Sequence, residues 1–173
     1  MPTSVDVLHL ISARRERRPA RALAALDELF TRLAACQGAD EALRTEDRIW
    51  DVWMHHPNRA AAEVLELATR DIAARRYDIA ETRLSALLRH APGFAEAWHK
   101  RATLYYLLGR DAEFLQDIAR TLQLEPRHFA AMLHFAEILL DEGARAEARF
   151  AFHAALSVHP HLPRARAALS DKP

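Results

Sequence analysis

Apolar residues recur along the middle of this 173-residue chain with the spacing of helices. Between Trp98 and Leu108 they follow the three-to-four-residue interval that marks one face of a helix, and between Phe114 and Leu122 they do so again. Gly109 separates the two stretches, where a helix commonly ends on a residue in the left-handed conformation. This segment is therefore predicted to form a helix, a tight turn and a second helix.

Prolines close this pattern at intervals of 34 residues, at Pro92, Pro126 and Pro160. Each lies just past a second apolar stretch, where proline cannot continue the helix. Glycine keeps the same interval at Gly109 and Gly143. Several sets of similar residues that recur at the same 34-residue interval indicate an internal repeat. The other sets are Ala68, Ala102 and Ala136; Leu84, Ile118 and Phe152; Leu88, Leu122 and Leu156; and Glu113 with Glu147.

The repeat divides the centre of the chain into three units, residues 61–94, 95–128 and 129–162. Each is predicted to be a helix pair. The first unit carries Arg75 and Arg76 where the others have a glycine and its neighbour. Because these residues are less tolerant of a left-handed backbone than glycine, a less sharp turn is expected there.

These recurring positions resemble the tetratricopeptide repeat. Short stretches of the sequence are also similar to a recurring type of uncharacterised bacterial protein in that family. The resemblance implies an all-α fold, a right-handed α-solenoid of helix-turn-helix repeats. It is carried by Val64, Leu67, Ala68, Ala80, Leu84, Leu87 and Pro92 in the first unit, by Trp98, Ala102, Tyr105, Ile118 and Pro126 in the second, and by Met132, Phe135, Ala136, Leu139, Ala148, Phe152, Ala155 and Pro160 in the third.

Two residues of the second unit depart from the family's pattern. Arg101 stands where leucine is usual, and Phe114 stands where alanine is usual. Because Arg101 is expected to be partly buried, its charge needs a carboxylate nearby. Asp117, on the facing helix, is the predicted partner.

The flanks are also predicted to be helical. Residues 20–56 contain two apolar stripes and are interpreted as a helical hairpin, a degenerate repeat that caps the first unit. Trp50 and Trp53 are expected to fill the junction between this cap and that unit. Residues 57–173 hold the three repeats and a short C-terminal capping helix, because the terminal units of a solenoid otherwise expose an apolar face.

Residues 1–19 are predicted to be a flexible basic arm. A cluster of five arginines and one glutamate between positions 14 and 21 has a local net charge of +4. Such a run favours a solvated arm, with contact to an anionic surface as the alternative. A secretory signal places its charge before its apolar stretch, and here the order is reversed. A cytoplasmic location is therefore expected, or a periplasmic one if the natural N-terminus differs.

Composition narrows the function classes. The 24 basic and 24 acidic residues balance, which argues against a general nucleic-acid binder or a protein that coats anionic membranes. No apolar run approaches the ~18 residues that span a membrane. The single cysteine, Cys36, excludes an internal disulfide framework.

No enzyme, cofactor or metal site is predicted. The four scattered glycines form no phosphate-binding loop, and no Gly-x-Ser-x-Gly motif is present. Of the ten histidines, the pairs at 55–56 and 159–161 lie at helix ends without the four-residue spacing of metal ligands. His99 and His134, which both fall on first helices, leave open an alternative, a metal-handling or enzyme-accessory protein.

The resemblance implies that the first helices of successive units line a concave groove that binds a protein or peptide. A scaffold or adaptor is therefore predicted, monomeric or weakly self-associating; the further alternative is a self-associating module built on Trp50 and Trp53. A receptor for chaperone tails is disfavoured because Lys100 is the groove's only basic residue. The predicted groove residues are Leu65, Thr69, Ile72, Glu96, His99, Lys100, Thr103, Tyr106, Leu133, His134, Glu137 and Asp141.

Overall fold

The computed structural model describes residues 1–15 and 24–170, and within them it contains helices and no strand. The predicted all-α fold is confirmed. A short 3-10 turn, Ala13–Arg15, follows the first helix. The helices are α1 Ser4–Ser12, α2 Ala24–Ala35, α3 Ala39–Met54, α4 Arg59–Ala73, α5 Tyr77–His90, α6 Ala95–Leu107, α7 Asp111–Leu124, α8 Phe129–Asp141, α9 Arg145–Val158 and α10 Pro163–Ser170.

The helix boundaries reproduce the period seen in the sequence. The second helices of the three units, α5, α7 and α9, begin at residues 77, 111 and 145, which are 34 apart. The first helices α6 and α8 begin at 95 and 129, again 34 apart, whereas α4 begins earlier, at residue 59. Each first helix packs most extensively against the second helix of its own unit. The chain therefore folds as three repeated helix pairs.

The turn inside each unit has the same backbone geometry. Gly109 and Gly143 have φ values of 66° and 78°, and Arg75 adopts a φ of 58° at the equivalent position. The expectation of a less sharp first turn is therefore wrong, because Arg75 takes the left-handed conformation despite its side chain. One hydrogen bond closes the turn in every unit, from the backbone N–H of Arg76 to the Asp71 carbonyl, of Arg110 to Tyr105 and of Ala144 to Leu139.

The predicted ion pair within the second unit is confirmed. The Arg101 Nε and Nη2 donate to the two carboxylate oxygens of Asp117, at 2.7 and 2.9 Å. Asp117 is buried, and the guanidinium carbon lies 5.0 Å from the centre of the Trp98 ring. The unusual arginine is thus accommodated by a two-point ion pair and an aromatic face.

The N-terminal segment differs from the predicted flexible arm over residues 1–19. Ser4–Ser12 form α1, whose first turn is fixed by reciprocal hydrogen bonds between Thr3 and Asp6. Val7 and Ile11 are fully buried, and the helix packs against the second helices α7 and α9. These two apolar side chains, four residues apart on one helical face, dock the segment on the solenoid. Positions 16–21 of the basic cluster lie outside the described residues.

Helices α2 and α3 pack against each other as a hairpin, and α3 contacts α4 of the first unit as well as α6 of the second. The nearest aromatic neighbours of Trp53 include Phe129, at 5.0 Å between ring centres, and His128, at 4.2 Å. Trp50 likewise contacts His99 and Phe129. The two indoles therefore pack where the second unit meets the third, which corrects the expectation that they fill the junction with the first unit.

The C-terminal helix α10 packs against α9 and buries Ala165. Among the described helices, none combines the length and apolar character that crossing a membrane requires.

The shared turn geometry yields a stability test. A non-glycine residue in the left-handed region costs about 1–2 kcal/mol, partly offset by the greater chain entropy that glycine loses on folding. We expect Arg75→Gly to raise the free energy of unfolding by about 0.5–1 kcal/mol and Gly109→Ala to lower it by about 1 kcal/mol, measured by urea denaturation.

Gly93→Ala is the matched control. A methyl group at Gly93 or at Gly109 would meet no atom within 4 Å, and only Gly109 has a positive φ. The control should therefore leave stability unchanged or slightly raised. Equal losses in Gly93→Ala and Gly109→Ala would show that the left-handed backbone is not the cause.

Candidate functional site

The first helices α4, α6 and α8 carry the predicted groove residues, and the structure divides these into two groups. Leu65, Glu96, His99 and Leu133 are buried and present little or no surface to a ligand. The other eight keep partial or full exposure. They are Thr69, Ile72, Lys100, Thr103, Tyr106, His134, Glu137 and Asp141.

An aromatic platform lies at the centre of the exposed group. The Tyr106 and His134 rings are nearly parallel, with an interplanar angle of 8° and 6.5 Å between their centres. Glu137, one turn further along α8, accepts from Arg164 of α10 at 2.7 Å. Burial raises the pKa of the Glu137 carboxyl. Arg164 was not among the predicted residues, because its position next to the groove depends on how α10 packs.

Beneath the platform, a buried carboxylate gathers three nitrogen donors. The Glu96 carboxylate, in the first turn of α6, accepts from His128 Nε2 at 2.8 Å and lies 3.1 Å from the Lys100 ammonium. Its Oε1 is 3.4 Å from His99 Nδ1. Glu96, His99 and His128 are all at least 98% buried. The carboxylate is therefore held by its neighbours and not by water.

The ionisation of this carboxylate is set by those neighbours. Burial acts to raise the pKa of Glu96, but the nearby positive charge and the hydrogen bonds from His128 and His99 outweigh it and hold the pKa well below its usual value. Glu96 is thus a buried anion at neutral pH. A buried anion is tolerated only where charge and hydrogen-bond partners compensate it, as they do here.

The hydrogen-bond directions follow from the donors around each ring. The Ala131 backbone N–H donates to His128 Nδ1 at 3.2 Å, so the His128 proton lies on Nε2, facing Glu96. Burial lowers the pKa of His99 to about 4. His99 is therefore neutral at pH 7, and the adjacent carboxylate favours its proton on Nδ1.

This arrangement extends to the groove. His99 Nε2, which has no proton in that tautomer, lies 3.2 Å from His134 Nδ1. His134 must then donate from Nδ1, and burial together with His99 lowers its pKa to about 3, so it is neutral too. Its remaining ring nitrogen, Nε2, is a hydrogen-bond acceptor that has no partner among residues 1–15 and 24–170.

The two indoles of the hairpin cover the network. Trp53 stacks on His128 with an interplanar angle of 6°, and Trp50 stacks on His99 with ring centres 6.3 Å apart. The Lys100 ammonium lies 5.3 Å from the centre of the Trp50 ring. Excluding water in this way strengthens every electrostatic contact beneath the rings. Within the described part of the chain, the buried Trp53 Nε1 has no hydrogen-bond acceptor.

Two further polar contacts hold the hairpin in place. Asp27 of α2 accepts from Arg127, in the turn before α8, at 2.6 Å. Glu46 of α3 is bonded to His159 Nε2, after α9, at 2.9 Å, and this hydrogen bond lowers the pKa of Glu46. The hairpin is thus anchored to the turns that follow the second helices of two units.

Glu96, His99 and His134 of this network are among the predicted groove residues, whereas His128 is not. His99 and His134 were selected for their positions on successive first helices, and the structure brings their rings together. The pairing of Glu96 with His128 was missed. Both residues lie at helix starts 32 positions apart, close to one repeat, and that near coincidence is the signal that could have identified them.

Comparison of the sequence with known proteins identifies relatives of this chain. The chain is similar over 135 residues to a TPR repeat-containing protein of Rhizobium etli, with 29% identity across 78% of this chain and 66% of that protein. It is also 30% identical over 96 residues to DnaJ homolog subfamily C member 3 of Rattus norvegicus, across 56% of this chain and 19% of the rat protein. The matched part is thus just under two thirds of the first relative and about a fifth of the second. No protein-family profile matches the chain.

The lowered pKa values of the two histidines predict a pH dependence of stability. An unfolded histidine takes up a proton near pH 6.5, whereas folded His99 does so only near pH 4. Stability is therefore fully present above pH 6.5 and is lost as the pH falls from 6.5 to 4. We expect His99 alone to contribute a loss of about 2 kcal/mol between pH 7 and pH 5.

Urea denaturation at both pH values measures this loss, and His99→Asn should reduce it. His90→Asn, which changes an exposed histidine on α5, is the control and should keep the original pH dependence. A wild-type free energy of unfolding that stays constant between pH 7 and pH 5 would contradict the burial of neutral histidines.

Proposed function

We propose that this tetratricopeptide-repeat protein is a scaffold or adaptor that binds a segment of another protein along its first helices. The similarity to TPR proteins supports a role in protein–protein interaction in general. The groove itself supplies the finer part of the proposal. One observation carries it, the open acceptor on His134 beside the parallel Tyr106 ring.

The chemistry of the groove favours a polar, extended ligand. His134 Nε2 can accept a hydrogen bond from a backbone N–H or a hydroxyl, and Tyr106 offers a flat surface of which 36% remains exposed. Glu137 and Asp141 place two carboxylates on the same helix, one of them already paired with Arg164. A ligand with a donor group, an apolar or aromatic side chain and a positive charge would match these three features in order along the groove.

The groove is formed before the ligand arrives. Thr103 donates its hydroxyl hydrogen to the His99 carbonyl at 3.0 Å, and Thr69 does the same to the Leu65 carbonyl at 2.9 Å. Their side chains are therefore fixed, as is the ring of His134. A fixed surface leaves most of the ordering cost to the ligand, which lowers the total cost of binding.

Neither of the two alternative functions considered from the sequence is favoured. Trp53 is buried and Trp50 half-buried, and both pack inside the chain, so they do not supply an exposed surface for self-association. The pair formed by His99 and His134 is a hydrogen bond between neutral rings. As a function for the whole protein, metal handling by that pair is not favoured.

Selection of binding peptides from a random displayed library, followed by titration of a selected peptide, tests the groove. We expect Tyr106→Ala and His134→Phe each to weaken binding by about 1 kcal/mol or more, because central aromatic and fully packed groups dominate most interfaces. Fluorescence anisotropy with a labelled peptide gives the dissociation constant.

Phe150→Ala is the matched control for Tyr106→Ala. Phe150 is an aromatic residue on the second helix α9 that is 42% exposed, close to the exposure of Tyr106. Removing it should leave peptide binding unchanged. Selected peptides that bind Tyr106→Ala normally and lose affinity for Phe150→Ala would move the site to the second helices and overturn the proposal.

A further inference from the structure

We propose that Glu96, His99 and His128 form a binding site for a divalent first-row transition-metal ion, with Zn²⁺ as the best match. Each of the three residues offers one ligand atom, and these atoms lie within 4.8 Å of one another. One carboxylate and two imidazoles are a ligand set that zinc accepts in proteins. The three ligands lie beneath the proposed groove, and the metal proposal is tested without a peptide, so it does not rest on the proposed function.

The spacing of the ligand atoms suits a tetrahedral ion. Zinc bonds of 2.0–2.2 Å to nitrogen and oxygen place two tetrahedral ligand atoms roughly 3.3 Å apart. The Glu96 carboxylate oxygens are 2.8 Å from His128 Nε2 and 3.4 Å from His99 Nδ1. A shift of about 0.5 Å at the first contact would bring both pairs close to this separation. The two histidine nitrogens, which lie within 4.8 Å of each other, would also have to move closer together.

The surroundings provide what a metal ligand needs beyond its own donor atom. A coordinating histidine usually donates its second ring N–H to a neighbouring acceptor. If His99 binds through Nδ1, its proton moves to Nε2, which lies 3.2 Å from His134 Nδ1.

A surface cleft of about 330 Å³ approaches the site between the hairpin and the turns before α6 and α8. Glu96, Trp53, His55 and His56 are among the residues that line it. The Glu96 side chain is itself fully buried, so an ion would enter from this cleft after a movement of the side chains that cover the carboxylate.

Two groups have to yield when the ion binds. Lys100, now 3.1 Å from Glu96, carries a charge that the ion would replace, and its side chain, 21% exposed, can turn to solvent. His128 would release its Nε2 proton to its own Nδ1 and give up the hydrogen bond from the Ala131 N–H. Removing the Lys100 charge should therefore improve metal binding, a result that a purely structural network does not predict.

Calorimetric titration of the metal-free full chain with Zn²⁺ is the test. We expect one equivalent to bind, Glu96→Gln and His99→Asn each to weaken binding at least 100-fold, and Lys100→Met to tighten it severalfold. His134→Phe, which removes the second partner of His99, should weaken it about 10–100-fold. Cobalt substituted for zinc should show the visible absorption of a tetrahedral site, and His99→Asn should abolish it.

His161→Asn is the control, because His161 contacts His159, a histidine that is hydrogen-bonded to a different carboxylate, Glu46. The His161→Asn variant should still bind one equivalent of Zn²⁺. Circular dichroism checks that each variant is folded, and His99→Asn retains the contact between Glu96 and His128. Absence of a stoichiometric equivalent, binding that survives both Glu96→Gln and His99→Asn, or binding lost in His161→Asn would overturn the proposal.

Discussion

The buried Glu96 carboxylate is the point on which the rest of this structure depends. It lies at the start of α6 and accepts a hydrogen bond from His128, the residue that caps α8, so it joins two consecutive repeats. A carboxylate in such a position is stable only while its partners remain. The cover of two indoles from the hairpin keeps those partners dry, so the fold of the N-terminal third is coupled to the junction between repeats.

This coupling links the interior to the proposed binding surface. The negative charge of Glu96 fixes the proton of His99 on one ring nitrogen, and that choice fixes the proton of His134. The groove consequently presents a hydrogen-bond acceptor, and whether that nitrogen accepts or donates is determined by a carboxylate two hydrogen bonds away. A change at the carboxylate, whether a substitution or a bound cation, would change what the groove offers a ligand.

The local periodicity of the chain explains how much of the fold could be predicted from the sequence. Helix positions repeat because side-chain spacing and proline placement act within a few residues, and the pairing of Arg101 with Asp117 follows from two adjacent helices of one unit. The placement of α1 and of the α2–α3 hairpin was not predicted, because each is decided by surfaces distant in sequence. In the sequence, Val7 and Ile11 only form part of a short apolar patch. Their burial results from the packing of α1 against α7 and α9.

The buried network around Glu96 could not be predicted from the sequence for the same reason. Nothing local distinguishes Glu96 from a surface glutamate at the start of a helix; its burial results from the hairpin above it and from His128 one repeat away. At Arg75 the packing of the helices opposes the backbone preference of the residue itself. The two helices that it joins pack as they do in the other units, and this packing imposes a left-handed backbone on a residue that disfavours it.

The most direct measurement is a long-range ¹H–¹⁵N NMR spectrum of the histidine side chains in the metal-free protein, recorded between about pH 7.5 and pH 5. It reports the tautomer and the charge of each ring. The account predicts that His128 carries its proton on Nε2, that His99 carries its proton on Nδ1, and that His99 remains neutral at pH 5. A His99 ring that titrates near pH 6.5, or one that carries its proton on Nε2, would contradict it.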